Sequence, residues 1–340
     1  MQAEKVTSLQ VAERAGVSQS AVSRVFTPGA SASSKTAEKV RKAAAELGYR
    51  PNMMARAMIT GKSRIIGLVV AYLDNQFYPL ALKRLSNALQ AKGYHILVFT
   101  ANNARDHIEG VIADLLDYQV DGIITASVGM TNDLTARCEA AGIPVVMFNR
   151  SQDGASIGSV TSANIAGGRK VAEFLLSCGH QNIAHISGWE GSSTGRDRQK
   201  GFVDGLADAG KKPCSVIDGM YDRGTAAQAT RDMMAANEKP DAIFVGNDHM
   251  AFAVVDTLRH ELGLRVPEYV AVVGYDDVPL AAWPAYQLTT VRQPLNRMVD
   301  ASIDMLLAQI TQGEIAPSRI EFDGPLITRG TTREPKGTSQ

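Results

Sequence analysis

The sequence predicts a small all-α head followed by an α/β core of two doubly wound parallel-sheet lobes. Residues 6–47 show helical apolar spacing, whereas from Arg64 onward short apolar runs alternate with amphipathic segments. The charge divides at the same place. The 340 residues have a formal net charge of zero, yet residues 1–64 hold 11 Lys and Arg against 4 Asp and Glu, and residues 65–340 hold 24 against 31. A basic head on an acidic core indicates a polyanionic partner for the head.

The head begins with a candidate helix-turn-helix. Residues 6–26, VTSLQVAERAGVSQSAVSRVF, predict two short amphipathic helices joined by a turn at Gly16, with Ser18 placed to cap the second helix. The outward face of that second helix presents Gln19, Ser20, Ser23 and Arg24. Short hydrogen-bonding side chains and one arginine suit base edges in a DNA major groove, although an ordinary helical hairpin with a solvated face has the same pattern.

Two more helical segments follow in the head. Residues 34–47 predict a third helix that ends at Gly48 and completes a three-helix bundle. Pro51 suits a first helical position, and Gly61 ends the next segment after about two turns. Because so short a helix is not stable alone in water, we expect residues 52–59 to be helical on DNA and mobile without it.

The core predicts two successive groups of parallel strands. The first group runs from the strand IIGLVVA to the strand PVVMFN, and the second from the helix AGGRKVAEFLLSCG to the strand YVAVVGYDD. Strands that are apolar throughout are typical of parallel sheets covered on both faces. Ligands bind beyond the carboxyl ends of such strands, or between two such lobes.

Polar residues at these strand ends are candidates for binding a small molecule. They are Asp74, Asn75, Asn149, Arg150, Asn247, Asp248 and Asp276, with Arg198 near the start of a following helix and aromatic neighbours at Phe77, Tyr78, Trp189, Tyr221 and Trp283. Carboxylates, amides and an arginine beside aromatic faces suit a polyhydroxylated ligand, because each hydroxyl both donates and accepts. Asp and Asn at a strand–helix junction can equally cap the next helix, so both interpretations stay open.

The chain resembles the lactose-repressor (LacI/GalR) family of bacterial transcription regulators along essentially its whole length. The resemblance rests on VTSLQVAERAGVSQSAVSRVF and KTAEKVRKAAAELGYRPNMMARAM in the head and hinge, and on IIGLVVAYLDNQFYP, CGHQNIAHISG, RDRQKGF, DAIFVGND, VAVVGYDD and LTTVRQP in the core. It implies a periplasmic-binding-protein-like core and a homodimer that binds a palindromic operator in double-stranded DNA. It also implies a small effector, carbohydrate-like by the chemistry above, that changes operator affinity from between the core lobes, as an inducer or as a co-repressor.

The resemblance also implies domain bounds and site residues. The bounds are a head at 1–50, a hinge helix and linker at 51–62 and a core at 63–340. Within the core, the N-lobe spans about 63–160 and 292–321, and the C-lobe spans about 161–291 and 322–334. The chain would therefore cross between the lobes near Thr161, Val291 and Phe322. The expected DNA contacts are Thr7, Ser18, Gln19, Ser20, Ser23, Arg24, Thr36, Tyr49, Asn52, Ala55 and Met58, of which Gln19 and Ser20 would read bases. The expected effector contacts are Asn75, Phe77, Tyr78, Asn149, Arg150, Trp189, Arg198, Tyr221, Asp248 and Asp276.

The sequence departs from the family pattern at several positions. Gln76 replaces a frequent proline, and Met58 replaces the leucine that usually wedges into the minor groove. Ser8 stands where the family often has a larger apolar residue near the operator. The final residues TTREPKGTSQ contain no apolar heptads, so we do not expect a tetramer built by such a tail.

Other functional classes receive weaker support. Residues 191–195, GSSTG, fit the spacing of a nucleophile elbow but come too late after their strand, and we find no Walker A sequence, dinucleotide fingerprint or paired metal-ligand histidines. We therefore expect no catalytic residue, metal or cofactor. A solute-binding protein or a sugar-metabolising enzyme with the same two-lobed core remains the alternative.

Composition predicts a cytoplasmic protein, and the family resemblance implies a bacterial one that is associated with the nucleoid when bound to its operator. The chain has three cysteines, Cys138, Cys178 and Cys214. Because their number is odd and they are widely spaced, we predict that they are reduced thiols. The N-terminus has no secretory signal and the longest early apolar run is too short to cross a bilayer, so we expect no membrane partner.

Overall fold

The fold of this chain is described by a computed structural model that covers residues 6–27, 30–51, 61–101, 105–130, 132–152, 157–313 and 318–335. It divides into two units, Met1–Ser63 and Arg64–Gln340. The hinge positions Asn52, Ala55 and Met58, and with them the expected disorder-to-helix transition, lie outside the described residues.

The first unit is a three-helix bundle. Its helices are α1 (Ser8–Ala15), α2 (Gln19–Phe26) and α3 (Ser34–Leu47). Thr7 and Gln10 form a reciprocal capping box at the start of α1, and the Ser18 hydroxyl accepts a hydrogen bond from the backbone of Ala21 at the start of α2. Gly16 ends α1 with a left-handed φ of 64°. The apolar core consists of Val11, Ala12, Val22, Val40, Ala43 and Ala44.

The second unit begins with the N-lobe, a six-stranded parallel sheet in the order β11-β5-β4-β3-β1-β2. Its elements are β1 (Ile65–Val70), α4 (Phe77–Ala91), β2 (His95–Thr100), α5 (Arg105–Asp117), β3 (Gly122–Ala126), α6 (Asn132–Ala140), β4 (Val145–Phe148), β5 (Gly158–Ser162), α11 (Leu295–Gln312) and β11 (Arg319–Phe322). The inner strands β3, β4 and β5 are buried along their length, as expected for a sheet covered on both faces.

The C-lobe is a second six-stranded sheet in the order β12-β10-β9-β8-β6-β7, parallel except for β12. Its elements are α7 (Asn164–Ser177), β6 (Ile183–Ser187), α8 (Ser193–Ala207), β7 (Ser215–Asp218), α9 (Arg223–Ala235), β8 (Ala242–Val245), α10 (Asp248–Asp256), a π-helical turn (Thr257–Glu261), β9 (Ala271–Asp276), a 3-10 helix (Pro279–Ala282), β10 (Thr289–Arg292) and β12 (Leu326–Ile327). The predicted fold class, an all-α head before two doubly wound lobes, is confirmed.

The described chain passes between the lobes after β5, after β10 and after β11. The first passage leads from Ser162 into α7, the second leads through Gln293 and Pro294 into α11, and the third leads from Phe322 towards β12. Each lobe is therefore built from separate stretches of sequence. No helix in the described ranges combines the length and apolar character needed to cross a membrane.

Two helices of the C-lobe, α7 and α8, are in direct backbone contact at two glycines. A Cβ atom placed on Gly201 of α8 would overlap the carbonyl oxygen of Ile165 in α7, and one placed on Gly168 of α7 would overlap the carbonyl oxygen of Arg198 in α8. Glycine is required here because the two backbones are in direct contact. This contact sets the position of Arg198 relative to α7.

Gly201→Ala should lower the free energy of unfolding by about 3 kcal/mol, because the added methyl group collides with rigid backbone. Gly110→Ala in α5 is the matched control, since its Cβ would enter open space. That helix-interior substitution should raise stability by about 0.5–1 kcal/mol. Chemical denaturation of both variants checks the prediction, and equal stability of Gly201→Ala and wild type would contradict the close packing.

Candidate functional site

A cavity of about 340 Å³, including its mouth, lies where strand ends of the two lobes meet. The cavity is lined by Tyr72, Asn75, Phe77, Tyr78, Ser127 and Asn149 from the N-lobe and by Thr194, Arg198, Tyr221, Asn247 and Asp276 from the C-lobe. Both lobes therefore contribute polar groups and aromatic rings to one space.

The backbone of the cavity wall is unusual. Five lining residues that are not glycine have φ values between 57° and 133°: Tyr72, Ser127, Asn149, Tyr221 and Asp276. Positive φ costs a residue with a side chain about 1 kcal/mol or more of conformational free energy, and such strain concentrates at functional sites. These five residues stand at the end of a strand or within three residues after it.

Arg198 and Asp276 are the opposite charges of the cavity. The two side chains are each 3% exposed, and Arg198 Nη1 lies 3.7 Å from Asp276 Oδ1. Arg198 also donates from Nε to Asn164 Oδ1 at 2.9 Å and from Nη1 to the Gly246 carbonyl at 2.6 Å. Its guanidinium lies 3.7 Å from the ring centroid of Tyr275. These contacts hold the buried guanidinium in one orientation.

Asp276 is fixed from a crossing segment. Gln293 donates from Nε2 to Asp276 Oδ1 at 2.6 Å, and its backbone N–H donates to the Asp276 carbonyl at 3.2 Å. Burial raises the pKa of Asp276 to about 6, against the opposing effects of Arg198 and of the Gln293 hydrogen bond. Asn164 likewise fixes Arg198 from the first crossing segment. Its Oδ1 accepts from Arg198, and its Nδ2 donates to the Ser162 carbonyl at 3.0 Å.

The N-lobe wall is aromatic and amide-rich. Asn149 donates from Nδ2 to the Tyr78 hydroxyl at 3.2 Å, and the rings of Phe77 and Phe148 stack with centroids 6.3 Å apart. Asn75 lies just before α4, and its Oδ1 accepts a hydrogen bond from the backbone N–H of Phe77 at 3.1 Å. Asn75 therefore bonds to the backbone at the start of α4 and also lines the cavity.

Several contacts join the lobes around the cavity. The rings of Tyr72 and Tyr221 face each other with centroids 6.5 Å apart. Asp74 Oδ2 lies 3.5 Å from His249 Nε2 at one side, and burial lowers the pKa of His249. At another side Arg319 of β11 donates to Asp197 of α8 at 3.2 Å. The lobes are thus closed over the cavity in this structure.

The sequence candidates divide into two groups. The candidates that line the cavity are Asn75, Phe77, Tyr78, Asn149, Arg198, Tyr221, Asn247 and Asp276. The candidates that are not among its lining residues are Asp74, Arg150, Trp189, Asp248 and Trp283. Arg150 is buried, with its guanidinium 5.4 Å from the ring centroid of Trp189. Tyr72, Ser127 and Thr194 also line the cavity and are not among the residues predicted from the sequence. Tyr72 and Ser127 stand just after β1 and β3, so the strand-end rule applied to every strand would have found them.

Asp248 lies inside the C-lobe with no exposed surface. Its Oδ2 accepts a hydrogen bond from the Val278 backbone at 3.0 Å, and its Oδ1 is joined to the Thr290 hydroxyl at 2.6 Å. These bonds connect the start of α10 to β10 and to the loop after β9. Burial, and next the charge of Asp276, raise the pKa of Asp248 to about 8.

The loop that fits nucleophile-elbow spacing has other bonds. Ser192 caps α8 by accepting from the Gly195 backbone at 3.0 Å, and the Ser193 hydroxyl accepts from the Ser151 backbone at 3.0 Å. Among the described residues no group of three or more His, Cys, Asp and Glu side chains is placed to hold a metal ion.

The head presents the predicted polar row. Gln19, Ser20, Ser23 and Arg24 are exposed on α2, and Thr7 and Ser18 are exposed at the helix starts. Thr36 is half-buried at the start of α3, and Tyr49 is half-buried with its ring 5.9 Å from that of Phe26. One exposed surface therefore carries several hydrogen-bonding side chains and one guanidinium.

Asp248→Asn should change the pH dependence of stability. An unfolded Asp ionises near pH 4, whereas the native Asp248 keeps its proton until about pH 8. The native state therefore binds more protons between these values, and this group makes the free energy of unfolding fall as pH rises from about 4 to about 8. Asparagine does not titrate, and it can accept from the Val278 backbone with Oδ1 while its Nδ2 donates to the Thr290 hydroxyl. The variant should therefore gain stability relative to wild type across that range.

Chemical denaturation at a series of pH values measures this effect. Asp232→Asn, at an exposed position of α9, is the matched control and should follow the wild-type profile. Parallel profiles for wild type and Asp248→Asn would show that Asp248 is already ionised in the native protein.

Comparison with known proteins identifies related chains over the whole length. Residues 9–52 match the model of bacterial regulatory proteins of the lacI family, and residues 172–332 match the periplasmic binding protein-like domain. The chain is 30% identical to the HTH-type transcriptional repressor PurR of Erwinia tasmaniensis, over 95% of this chain and 96% of that protein. It is 32% identical to the HTH-type transcriptional regulator CelR of Thermobifida fusca, over 94% and 96% respectively.

Solved structures give the same result. The lac repressor dimer bound to operator and the anti-inducer ONPF superposes with a TM-score of 0.87 at 29% identity, covering 97% of this chain and 99% of that one. A complex of the transcriptional regulator CelR with cellobiose gives 0.73 at 29% identity, covering 96% and 100%. The relatives named here are regulators and not enzymes. The resemblance seen in the sequence is confirmed, and the chain belongs to the lacI family of bacterial regulatory proteins.

Proposed function

We propose that this protein is a transcriptional repressor that binds an operator through its head and responds to a neutral, polyhydroxylated effector in the cavity of its core. The observation that carries the effector assignment is the composition of the cavity wall. Arg198 and Asp276 supply one charge of each sign, and the other lining residues are hydroxyl, amide or aromatic side chains. Such a wall matches the alternating donors, acceptors and C–H faces of a sugar or polyol.

The head supplies the DNA-binding surface of this proposal. Gln19 and Ser20 are assigned to base edges, whereas Thr7, Ser18, Ser23 and Thr36 are assigned to phosphates and Arg24 to either. Related structures include a lac repressor dimer on operator DNA, so we assign this chain a homodimer and a palindromic site. The proposed location is the bacterial cytoplasm, on the nucleoid when the operator is bound.

The proposed switch uses the two crossing segments. Asn164 bonds to Arg198 and Gln293 bonds to Asp276, so both charged effector contacts are bonded to residues that lead from one lobe to the other. An effector that touches Arg198, Asp276 and the N-lobe residue Asn149 would favour one lobe orientation. The coupling cannot exceed the preference of the effector for that orientation, typically about 1–3 kcal/mol.

Operator binding is tested with DNA from upstream of the gene that encodes this protein. A gel-shift titration should show a saturable complex that an unrelated duplex of equal length displaces at least tenfold less well. Replacing Gln19 and Ser20 together by Ala should remove this preference and leave non-specific binding, which depends on phosphate contacts. Equal affinity of the wild type for both duplexes would contradict sequence-specific binding.

Effector binding is tested by thermal shift of the full chain against neutral sugars, polyols, sugar acids and nucleobases. A compound that binds the native state at 100 times its Kd adds about 2.7 kcal/mol of stability. The positive compounds should be neutral sugars or polyols, and Asp276→Asn should abolish their shift while the surface variant Asp232→Asn keeps it. An undiminished shift in Asp276→Asn would place the effector elsewhere, and positive sugar acids alone would contradict a neutral ligand.

A further inference from the structure

Ser8 and Gln19 occupy equivalent positions on two neighbouring helices. Ser8 is the first residue of α1 and Gln19 is the first residue of α2. Gln19 donates from Nε2 to Ser8 Oγ at 2.9 Å, a hydrogen bond that joins the two helices of the helix-turn-helix. Ser8 is half-buried whereas Gln19 is exposed. The bond therefore connects an anchored hydroxyl to a side chain on the outward face.

Neighbouring polar side chains of α2 are bonded differently. The hydroxyls of Ser18 and Ser20 lie 3.0 Å apart, and Arg24 donates from Nε to the Ser20 carbonyl at 3.4 Å. Those bonds lie within α2 and its cap, so they do not orient these side chains relative to α1. Gln19 is instead oriented by α1.

The orientation of Gln19 has a chemical consequence. A glutamine amide has one carbonyl oxygen and two N–H donors, and only one of the donors is needed by Ser8. The carbonyl oxygen and the second N–H then remain available along one edge of the amide. That pair matches the N6 donor and the N7 acceptor of adenine in the major groove.

We infer that Ser8 is a specificity-determining residue, which holds the Gln19 amide so that it reads one adenine in each half of the operator. This inference rests on the proposed function, because it requires a head that reads base edges. Ser8 acts through Gln19 and is a positioning residue. Ser8 restricts the rotamers of Gln19 before DNA binds, so Gln19 loses less conformational entropy on binding. This increases the preference for adenine although Ser8 itself contacts no base.

The test is in vitro selection of the full-length protein on a random double-stranded DNA library. Wild type should enrich a palindrome with one adenine per half-site preferred roughly tenfold to hundredfold, the range expected of a bidentate contact. Gln19→Ala should lose the preference at that base pair alone. Ser8→Ala should reduce the same preference several-fold, with the preferences at other base pairs and the salt dependence of binding unchanged.

Ser34→Ala is the matched control, because Ser34 is likewise a serine at the first position of a head helix, α3, but its side chain is exposed. It should select the wild-type motif. The inference is overturned if Gln19→Ala loses a guanine or cytosine instead, or if Ser8→Ala discriminates as sharply as wild type. Those results differ from failure of the proposed function, in which the wild type would enrich no sequence at all.

Discussion

The buried guanidinium of Arg198 is the group on which the organisation of the core depends. A charge with 3% of its side chain exposed is unfavourable unless a counter-charge and hydrogen bonds replace its water. Those replacements come from Asp276 at the end of β9, the Gly246 carbonyl after β8, Asn164 at the start of α7 and the ring of Tyr275. Strand ends, a helix start and a crossing segment must therefore all be in place before this one side chain is stable in the cleft. The same requirement keeps the crossing segments in contact with the site.

The sequence predicted those features of the core that depend on local pattern. Apolar runs identified the strands, and the rule that ligands bind at strand ends led to Asn149 and Asp276, which line the cavity. The rule did not distinguish Asp248, which turns inward at the start of α10 and bonds within the C-lobe. The left-handed φ of Tyr72, 60°, was equally out of reach, because bulky residues rarely adopt it and no local pattern marks it. Which strand ends face the cleft is a property of the two lobes together.

The head shows the same division between local and tertiary information. The capping residues Thr7 and Ser18 were predictable because a cap involves residues only three positions apart. The bond from Gln19 to Ser8 depends on how α1 and α2 cross, so spacing along the chain gave no indication of it. Ser8 was noticed in the sequence only as a departure from the family pattern. The structure gives that small polar residue a partner that a larger apolar side chain could not bond.

The three passages between lobes have a consequence for synthesis on the ribosome. The N-lobe sheet takes its outer strand β11 from residues 319–322, and α11 from residues 295–312 packs against β4 and β5. Chains emerge N-terminus first, so the head can fold early from local contacts while strand β5 waits for about 160 further residues with its edge unpaired. Both sheets then become complete only when residues 319–327 have emerged. A nascent chain of this protein consequently exposes the edge of β5 for nearly half of its translation, which is the interval in which chaperone protection matters most.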